Sequence, residues 1–467
     1  MRSTRLRRVL ALAIVAIASV SVERGLPAQS ASLAQAPTFN RDVAPILYAN
    51  CVTCHRPDGI APMTLTNFAA AKAYATRIRD LTMSREMPPW YADPQHGQFK
   101  NARGLTQAQI DTLSRWAEGG APEGTGAAPA APTFPSNGGW DARMNRAPDL
   151  VLDLPFGEYE LPASGEVPTF TVWMKLPLRE DRFVQALEIK PSLRHAVHHS
   201  SLALATLPQG TRIGRGPVFS GGPTLDGVPV YADGRPFRAA SGEEFGRPVL
   251  FYVPGGGFMQ LPDGLAKRFR KDDYLAWGLH LISGGRVEKL RVQVGIWYTR
   301  RDPHHEVHTW TVNETLAIDG KPVTTDARGA RVLPDIPPGV TNLPIVGSLK
   351  IEDDVTLYSL WPHMHYRGKD MTFVLTEPNG RQTTLLSVPR YNPHWQLTYE
   401  LTKPLRIRRG STITASGHYD NSSMNMHNPD PTSVVKFGPQ GTDEMYIPFI
   451  EVAVEREDLR FERLAQP

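Results

Sequence analysis

The 467-residue chain has only two cysteines, Cys51 and Cys54. With no others in the chain there is no disulfide framework and no second cysteine pair to complete a zinc site. Basic blocks with interleaved aromatics are missing too. The net charge is only +4, part of that excess sits in the first eight residues, and nucleic acid is not an expected partner. No repeat at the scale of 20 to 50 residues stands out, which argues against a propeller. Beyond the N-terminus no apolar run approaches membrane-spanning length.

At that N-terminus Arg2, Arg5, Arg7 and Arg8 precede an apolar run from Val9 to Val22, followed by Pro27, Ala28 and small residues. The run is shorter than the ~20 residues a spanning helix needs, and the order matches a secretory signal. Residues 1–36 therefore read as a signal peptide cut between Ala28 and Ala36. The mature chain is expected to be periplasmic or secreted, with no transmembrane segment. The remaining length, at 41% hydrophobic and 21% charged residues, allows two to four globular domains.

The two cysteines stand in Cys51-Val52-Thr53-Cys54-His55, the C-x-x-C-H pattern that attaches haem c. Two thioethers hold the porphyrin and His55 becomes the proximal ligand. A thioredoxin-like pair would need a βαβ context that is absent here. Around the motif the pattern is helical. Residues 41–50 carry Val43, Ile46 and Leu47 on one side, with Pro45 tolerable only in the first turn. A second helix is expected from Ala69 to Ser84, with Tyr74, Ile78 and Leu81 at helical spacing. It stops before Met87-Pro88-Pro89, where stiff chain presents Met87 as the sixth iron ligand; Met63 and Met83 are its competitors. A third helix opens with the capping box Thr106-x-x-Gln109 and runs through Ile110, Leu113 and Trp116 to Gly119-Gly120. It resembles the closing helix of class I cytochrome c domains, so residues 37–120 are expected to form a small all-α cytochrome c domain. His/Met ligation would close the iron to peroxide and suit single-electron transfer.

From 121 to 139 the chain turns to Ala, Pro, Gly, Ser and Thr, the composition of a semi-extended linker. Beyond residue 139 come short segments rich in Val, Leu, Phe, Tyr and Thr, punctuated by Pro and Gly, with little helical periodicity: an all-β region. Its histidines are clustered. His195, His198 and His199 precede one strand, and His280 ends another that begins at Tyr274. His363 and His365 close the apolar run Val355, Leu357, Leu360. In an extended chain residues two apart share a face, so H-x-H can place two bonds on one ion. With a thioether such as Met445 added, the set favours copper. Pro362 within this strand points to a rim position. His304-His305-Glu306-Val307-His308 lacks zincin spacing and reads as an exposed turn. The polar stretch from Tyr419 to Pro431 reads as a long loop, with Met424, Met426 and His427 as loop decoration in preference to extra copper ligands.

The order of these motifs, short strand, Leu-Pro, strand, His-His, strand ending in His, H-x-H, then Asp-Glu-Met, resembles the copper type II ascorbate-dependent monooxygenases, the family of peptidylglycine α-hydroxylating and dopamine β-monooxygenases. The resemblance covers roughly residues 165 to 455. It implies tandem jelly-roll-like sandwiches, taken here as 140–330 and 331–467, each holding one copper. His198, His199 and His280 would ligate an electron-transfer copper; His363, His365 and Met445 would hold the copper that meets O2. Adjacent residues on a regular strand face opposite ways, so His198 and His199 can share a metal only at a bulge; His195 with His199 is the alternate. In peptide-acting relatives an arginine ahead of H-x-H and an asparagine and tyrosine after the methionine bind substrate. Here Trp361, Ile447 and Phe449 occupy those places, so a neutral or apolar small substrate is expected. The chain thus reads as an exported haem c/copper monooxygenase, with a periplasmic electron donor supplying the haem and two coppers receiving its electrons. Its rival is a non-catalytic electron-transfer cytochrome carrying a copper- or partner-binding sandwich.

Overall fold

The computed structural model describes residues 36–460, apart from 58, 60, 135–138, 142, 166, 168, 208–209, 215, 220–245, 254–255, 327–330 and 439–441. The signal-peptide expectation falls on residues outside that range. Among the described residues no helix is long and apolar enough to cross a membrane. The described residues are mostly β-sheet, and the four α-helices named among them lie between residues 44 and 118.

The first helix is Ala44–Asn50, entered through a π-turn at Phe39–Val43, with Pro45 in its first turn. The expected second helix is broken. Phe68–Ala73, capped by the Asn67 side chain on Ala70 N, gives way at Tyr74 to Ala75–Met83. Tyr74 (φ −113°, ψ 15°) leaves the helical region and is exposed. The buried face is therefore Ala71, Ala75, Ile78 and Thr82 rather than one built on Tyr74. Gln107–Glu118 forms as expected, with both halves of the Thr106/Gln109 capping box made and Ile110, Leu113 and Trp116 buried. Phe39, Leu47, Leu113 and Trp116 share one small core, each such side chain contributing roughly 1.5–3 kcal/mol. The stretch after Gly120 is held to this core: Phe39 N bonds Pro122 O, Asn40 N bonds Glu123 O, and Trp116 Nε1 bonds Pro122 O.

Among the described residues the strands form two packed pairs of sheets that share one long member. A nine-stranded sheet runs in the order Leu150–Asp153, Val292–Tyr298, Arg182–Pro191, Leu265–Phe269, His305–Thr311, Ile447–Asp458, Val355–His363, Tyr399–Ile407, with Phe258–Gln260 pairing off Arg182–Pro191. One arm packs on a five-stranded sheet, Val218–Phe219, Phe170–Lys175, Asp273–Leu281, Val197–Thr206, Arg247–Tyr252. Leu187, Ile189, Leu202, Leu275, Trp277, Val294 and Ile296 fill the space between. The other arm packs on a six-stranded sheet centred on Leu343–Lys350, Thr412–Tyr419 and Gly368–Thr376, around Ile345, Leu357, Leu360, Phe373, Ile413 and Val452.

The seam between the arms is short and polar. His305–Thr311 pairs in parallel with Leu265–Phe269 through His305/Leu265 and Glu306/Ala266, and antiparallel with Ile447–Asp458. The expected exposed turn at His304–His308 is thus a strand from His305 on. Glu306 is buried between Arg268 at 3.3 Å and Arg247 at 3.8 Å, and His308 Nε2 lies 2.7 Å from Glu457. Across the same seam Lys267, 3% exposed, reaches Glu451 at 2.9 Å, and Ser359 donates to Glu451.

The helical segment is strapped to the second sheet pair by residues 90–101. Asp93 N bonds Ser387 O, Lys100 N bonds Glu400 O, Thr402 N bonds Gln98 O, and Asn101 Nδ2 bonds Thr398 O. Trp90 and Phe99 pack on Tyr399 with ring centroids 5.0 and 5.4 Å away.

Candidate metal centre

Val197–Thr206 and Asp273–Leu281 pair so that His199 faces His280 and Val197 faces Leu281, with the register shifting between. His198 is the extra residue of that bulge, and the shift lets two successive side chains turn the same way. The His198 and His199 rings stack with centroids 4.0 Å apart, and His280 stands edge-on to them at 5.2 and 5.7 Å. One ligand atom from each of these three residues lies within 4.8 Å of the others. His195 takes no part: it bonds Glu288 at 2.9 Å.

Two ring nitrogens of this cluster, His198 Nδ1 and His199 Nε2, are shut off from solvent with no hydrogen-bond partner. Buried polar atoms are rarely left so, and a metal would supply the missing partner for both. Burial pushes His198 down to about 3, with His280 and His394 adding to it. Burial likewise holds His199 well below the ordinary imidazole value, reinforced by His198, His280, His363 and His365. Neutral imidazole is the ligating form. The donor set therefore fits a copper-class ion.

That pair sits at the rim. Val355–His363 pairs with Tyr399–Ile407 only as far as Leu360, while its other edge continues to Pro362/Pro448 and His363/Ile447. Pro362, which has no N–H to give, thus lies where one side of the strand is unpaired. The His363 and His365 rings are 5.1 Å apart at 86°. His363 Nδ1 is 2.5 Å from Gln396 Oε1, and His365 Nδ1 is 3.0 Å from Asp443 O. Such outer contacts fix the tautomer and make Nε2 the nitrogen each ring could offer a metal. Glu444 ties in the Asp-Glu-Met segment. Its buried carboxylate accepts from His365 N at 2.9 Å and Arg367 N at 2.5 Å, and burial pushes it up to about 8. Met445 lies two residues ahead of the strand Ile447–Asp458. Two residues beyond the His363/Ile447 pair in each direction stand His365 and Met445.

Trp361 is 5% exposed, donates from Nε1 to Gln396 O, and stacks on Phe449 at 4.5 Å. Trp361 and Phe449 thus form an apolar wall beside His363, whose ring is 5.4 Å from that of Trp361.

Cys51 and Cys54 are free and half-buried, and burial pushes Cys51 up to about 12. Arg103, Arg56 and Arg194 all bear on Cys54, and Cys54 in turn bears on Tyr252, which faces Ser200 beside His199. His55 Nδ1 is 3.3 Å from Met63 O. Met83 is 56% exposed on its helix and Met87 is half-buried in the extended segment.

Sequence reasoning missed His394. It comes after an Asn-Pro turn in which Asn392 Oδ1 accepts from His394 N, and a loop histidine carries no periodicity that would assign it a face. Its Nδ1 lies 3.2 Å from His198 Nε2, and its ring lies 5.3 Å from that of His427. The tautomer in which His198 Nε2–H donates to His394 leaves the His198 Nδ1 lone pair for a metal.

Residues 341–458 match the family described as copper type II ascorbate-dependent monooxygenase, C-terminal domain. That span includes His363, His365, His394, His427 and Met445, and excludes the His198/His199/His280 cluster. No curated protein matches the chain. Among solved structures, PNGF-II is similar at 9% identity and TM-score 0.23, over 64% of this chain and 65% of its own. The tandem CBM22-1–CBM22-2 domain of Paenibacillus barcinonensis Xyn10C is similar at 11% identity and TM-score 0.16, over 65% of this chain and 82% of its own. The chain thus spans just under two thirds of the first of these structures. Both likenesses are too slight to bear on fold or chemistry.

Proposed function

We propose that this chain is an exported, O2-dependent copper monooxygenase that draws single electrons from its own covalent haem c, itself recharged by a periplasmic donor. The observation that carries the reading is the pair of orphaned ring nitrogens in the His198/His199/His280 cluster, in a chain whose residues 341–458 match a copper monooxygenase family.

Bound copper supplies one-electron chemistry with O2 that imidazole and thioether side chains lack. The protein's share is positional. His198, His199 and His280 hold one ion; His363, His365 and Met445 hold the other, with Gln396, Asp443 and Glu444 orienting the two imidazoles. Trp361 and Phe449 exclude water beside His363 and offer a substrate carboxylate nothing to bind, which favours a neutral or apolar substrate. Cys51, Cys54 and His55 hold the haem, with Met87 as its second axial ligand. The contact of His55 Nδ1 with Met63 O suits a ring that ligates iron through Nε2. Electrons from the haem would enter at the His198/His199/His280 copper, the one whose donors are all imidazoles.

A second reading has one observation in its favour. Trp361 packs against both Phe449 and Phe251, which also meet each other, filling the place beside His363, which suits a copper-handling protein that turns nothing over. Metal analysis and copper electron paramagnetic resonance test the proposal on protein matured in a periplasm and loaded with copper. It requires about two coppers per covalent haem and oxygen consumption by the reduced protein above that of free haem. One haem without tightly bound copper sinks it; two coppers without oxygen use leave the copper-handling reading.

A further inference from the structure

Met424 and Met426 are 84% and 89% exposed, although the loop that carries them is well tied. Asn425 Nδ2 donates to Tyr366 O and Asp420 O, each at 2.9 Å, and Asn428 Nδ2 donates to Asn421 Oδ1 at 3.0 Å. Two thioethers are therefore held in solvent by a fixed backbone, where neither gains from burial. The next residue is His427, whose amide is bonded to Asn425 Oδ1. Its ring stands 5.3 Å and 72° from that of His394. Those values resemble the pairs in the two candidate centres, from 4.0 Å and 29° for His198/His199 to 5.1 Å and 86° for His363/His365. From His394 one contact of 3.2 Å reaches His198. Thioethers and imidazoles thus succeed one another from the surface to the cluster.

We propose that Met424, Met426 and His427 form an uptake site for Cu(I), and that His427 and His394 pass the ion on to the His198/His199/His280 cluster. Thioether sulfur is the soft donor Cu(I) prefers over the harder divalent ions. An imidazole at each later position permits stepwise ligand exchange, one bond forming as another breaks. The ion stays Cu(I) throughout and no electron moves. The proposal rests on the reading that the His198/His199/His280 cluster holds copper.

The test uses the full chain with haem attached, stripped of copper and kept anaerobic and reduced, with Cu(I) buffered at low concentration by bathocuproine disulfonate. Chelator absorbance tracks uptake, and X-ray absorption on early samples looks for sulfur scattering. Electron paramagnetic resonance after brief oxidation monitors the His-rich cluster. In a Met424→Leu/Met426→Leu/His427→Asn variant, early sulfur scattering should vanish and cluster filling should slow about tenfold through loss of local concentration, while final occupancy stays at the wild-type level. His394→Ala should slow filling as well but keep the early sulfur signal. Filling of the triple variant at the wild-type rate overturns the relay. If the wild-type cluster takes no copper even in excess, the copper reading itself fails, whatever the loop does.

Discussion

The ring of Phe251 lies 3.6 Å, centroid to centroid, from that of Trp361. Phe251 belongs to the strand facing Ser201, two residues past His199, whereas Trp361 precedes His363 by two. This contact joins the strand systems of both histidine groups, and Phe449 meets both rings, at 5.5 Å from Phe251 and 4.5 Å from Trp361. Replacing Trp361 with alanine should cost about 3–5 kcal/mol, read by urea denaturation. A loss below about 1 kcal/mol, the scale of a surface change, would show that the stack carries little load.

Lys267 and Glu451 form an ion pair across the seam, with the amine almost fully enclosed. Lys267→Ala leaves a carboxylate without its partner and should cost roughly 3 kcal/mol, at the low end for a broken buried pair because Glu451 keeps some exposure. Lys267→Met with Glu451→Leu should restore most of it. A double variant no better than the single one would assign the stability to something other than the pair.

His280→Ala should remove one copper per haem and leave the haem spectrum unchanged, since His280 is one of three donors in the cluster. His195→Ala should leave copper content intact, because its imidazole is already committed to Glu288. The reverse pattern, measured by metal analysis, would exchange their roles.

Met445→Ile should abolish oxygen-dependent turnover with the haem spectrum preserved. The variant deletes the soft ligand but keeps side-chain bulk, so oxygen use that survives it would remove Met445 from the chemistry.

Glu188 is buried and accepts the Asp141 amide at 2.7 Å; burial is the main cause that raises its pKa. A carboxyl raised on folding binds its proton more tightly when folded, so its contribution to stability is present below the unfolded value and is lost as pH rises through the folded one. Glu188→Gln keeps an acceptor for Asp141. It should be more stable than the wild type at neutral pH, with the gap narrowing as pH falls through the ordinary carboxylate range. A gap that does not change with pH would mean the carboxyl titrates normally.

The all-β character after residue 140 was legible because apolar alternation and Pro/Gly punctuation are local. So was the Thr106 cap, whose partners stand three residues apart. The shared face of His198 and His199 could be stated only as a condition, a bulge, because a register shift depends on a strand some eighty residues away. Tyr74 misled because its spacing fits a helix that ends one residue earlier. The strand at His305 was hidden behind charge: a Glu between histidines reads as surface unless Arg247 and Arg268 are known to meet it. His394 had no pattern to betray it, since a loop after Asn-Pro gains its neighbours only when the two sheet pairs come together.

The parallel pairing of His305 and Glu306 with Leu265 and Ala266 makes one sheet out of two halves. A side-chain interface can slide or hinge, whereas strands joined by main-chain hydrogen bonds shift only in whole residue steps, each of which turns every side chain to the opposite face. The two arms of the nine-stranded sheet are therefore offset by whole residues along a ladder, and thermal breathing of a cleft has little hold on that offset.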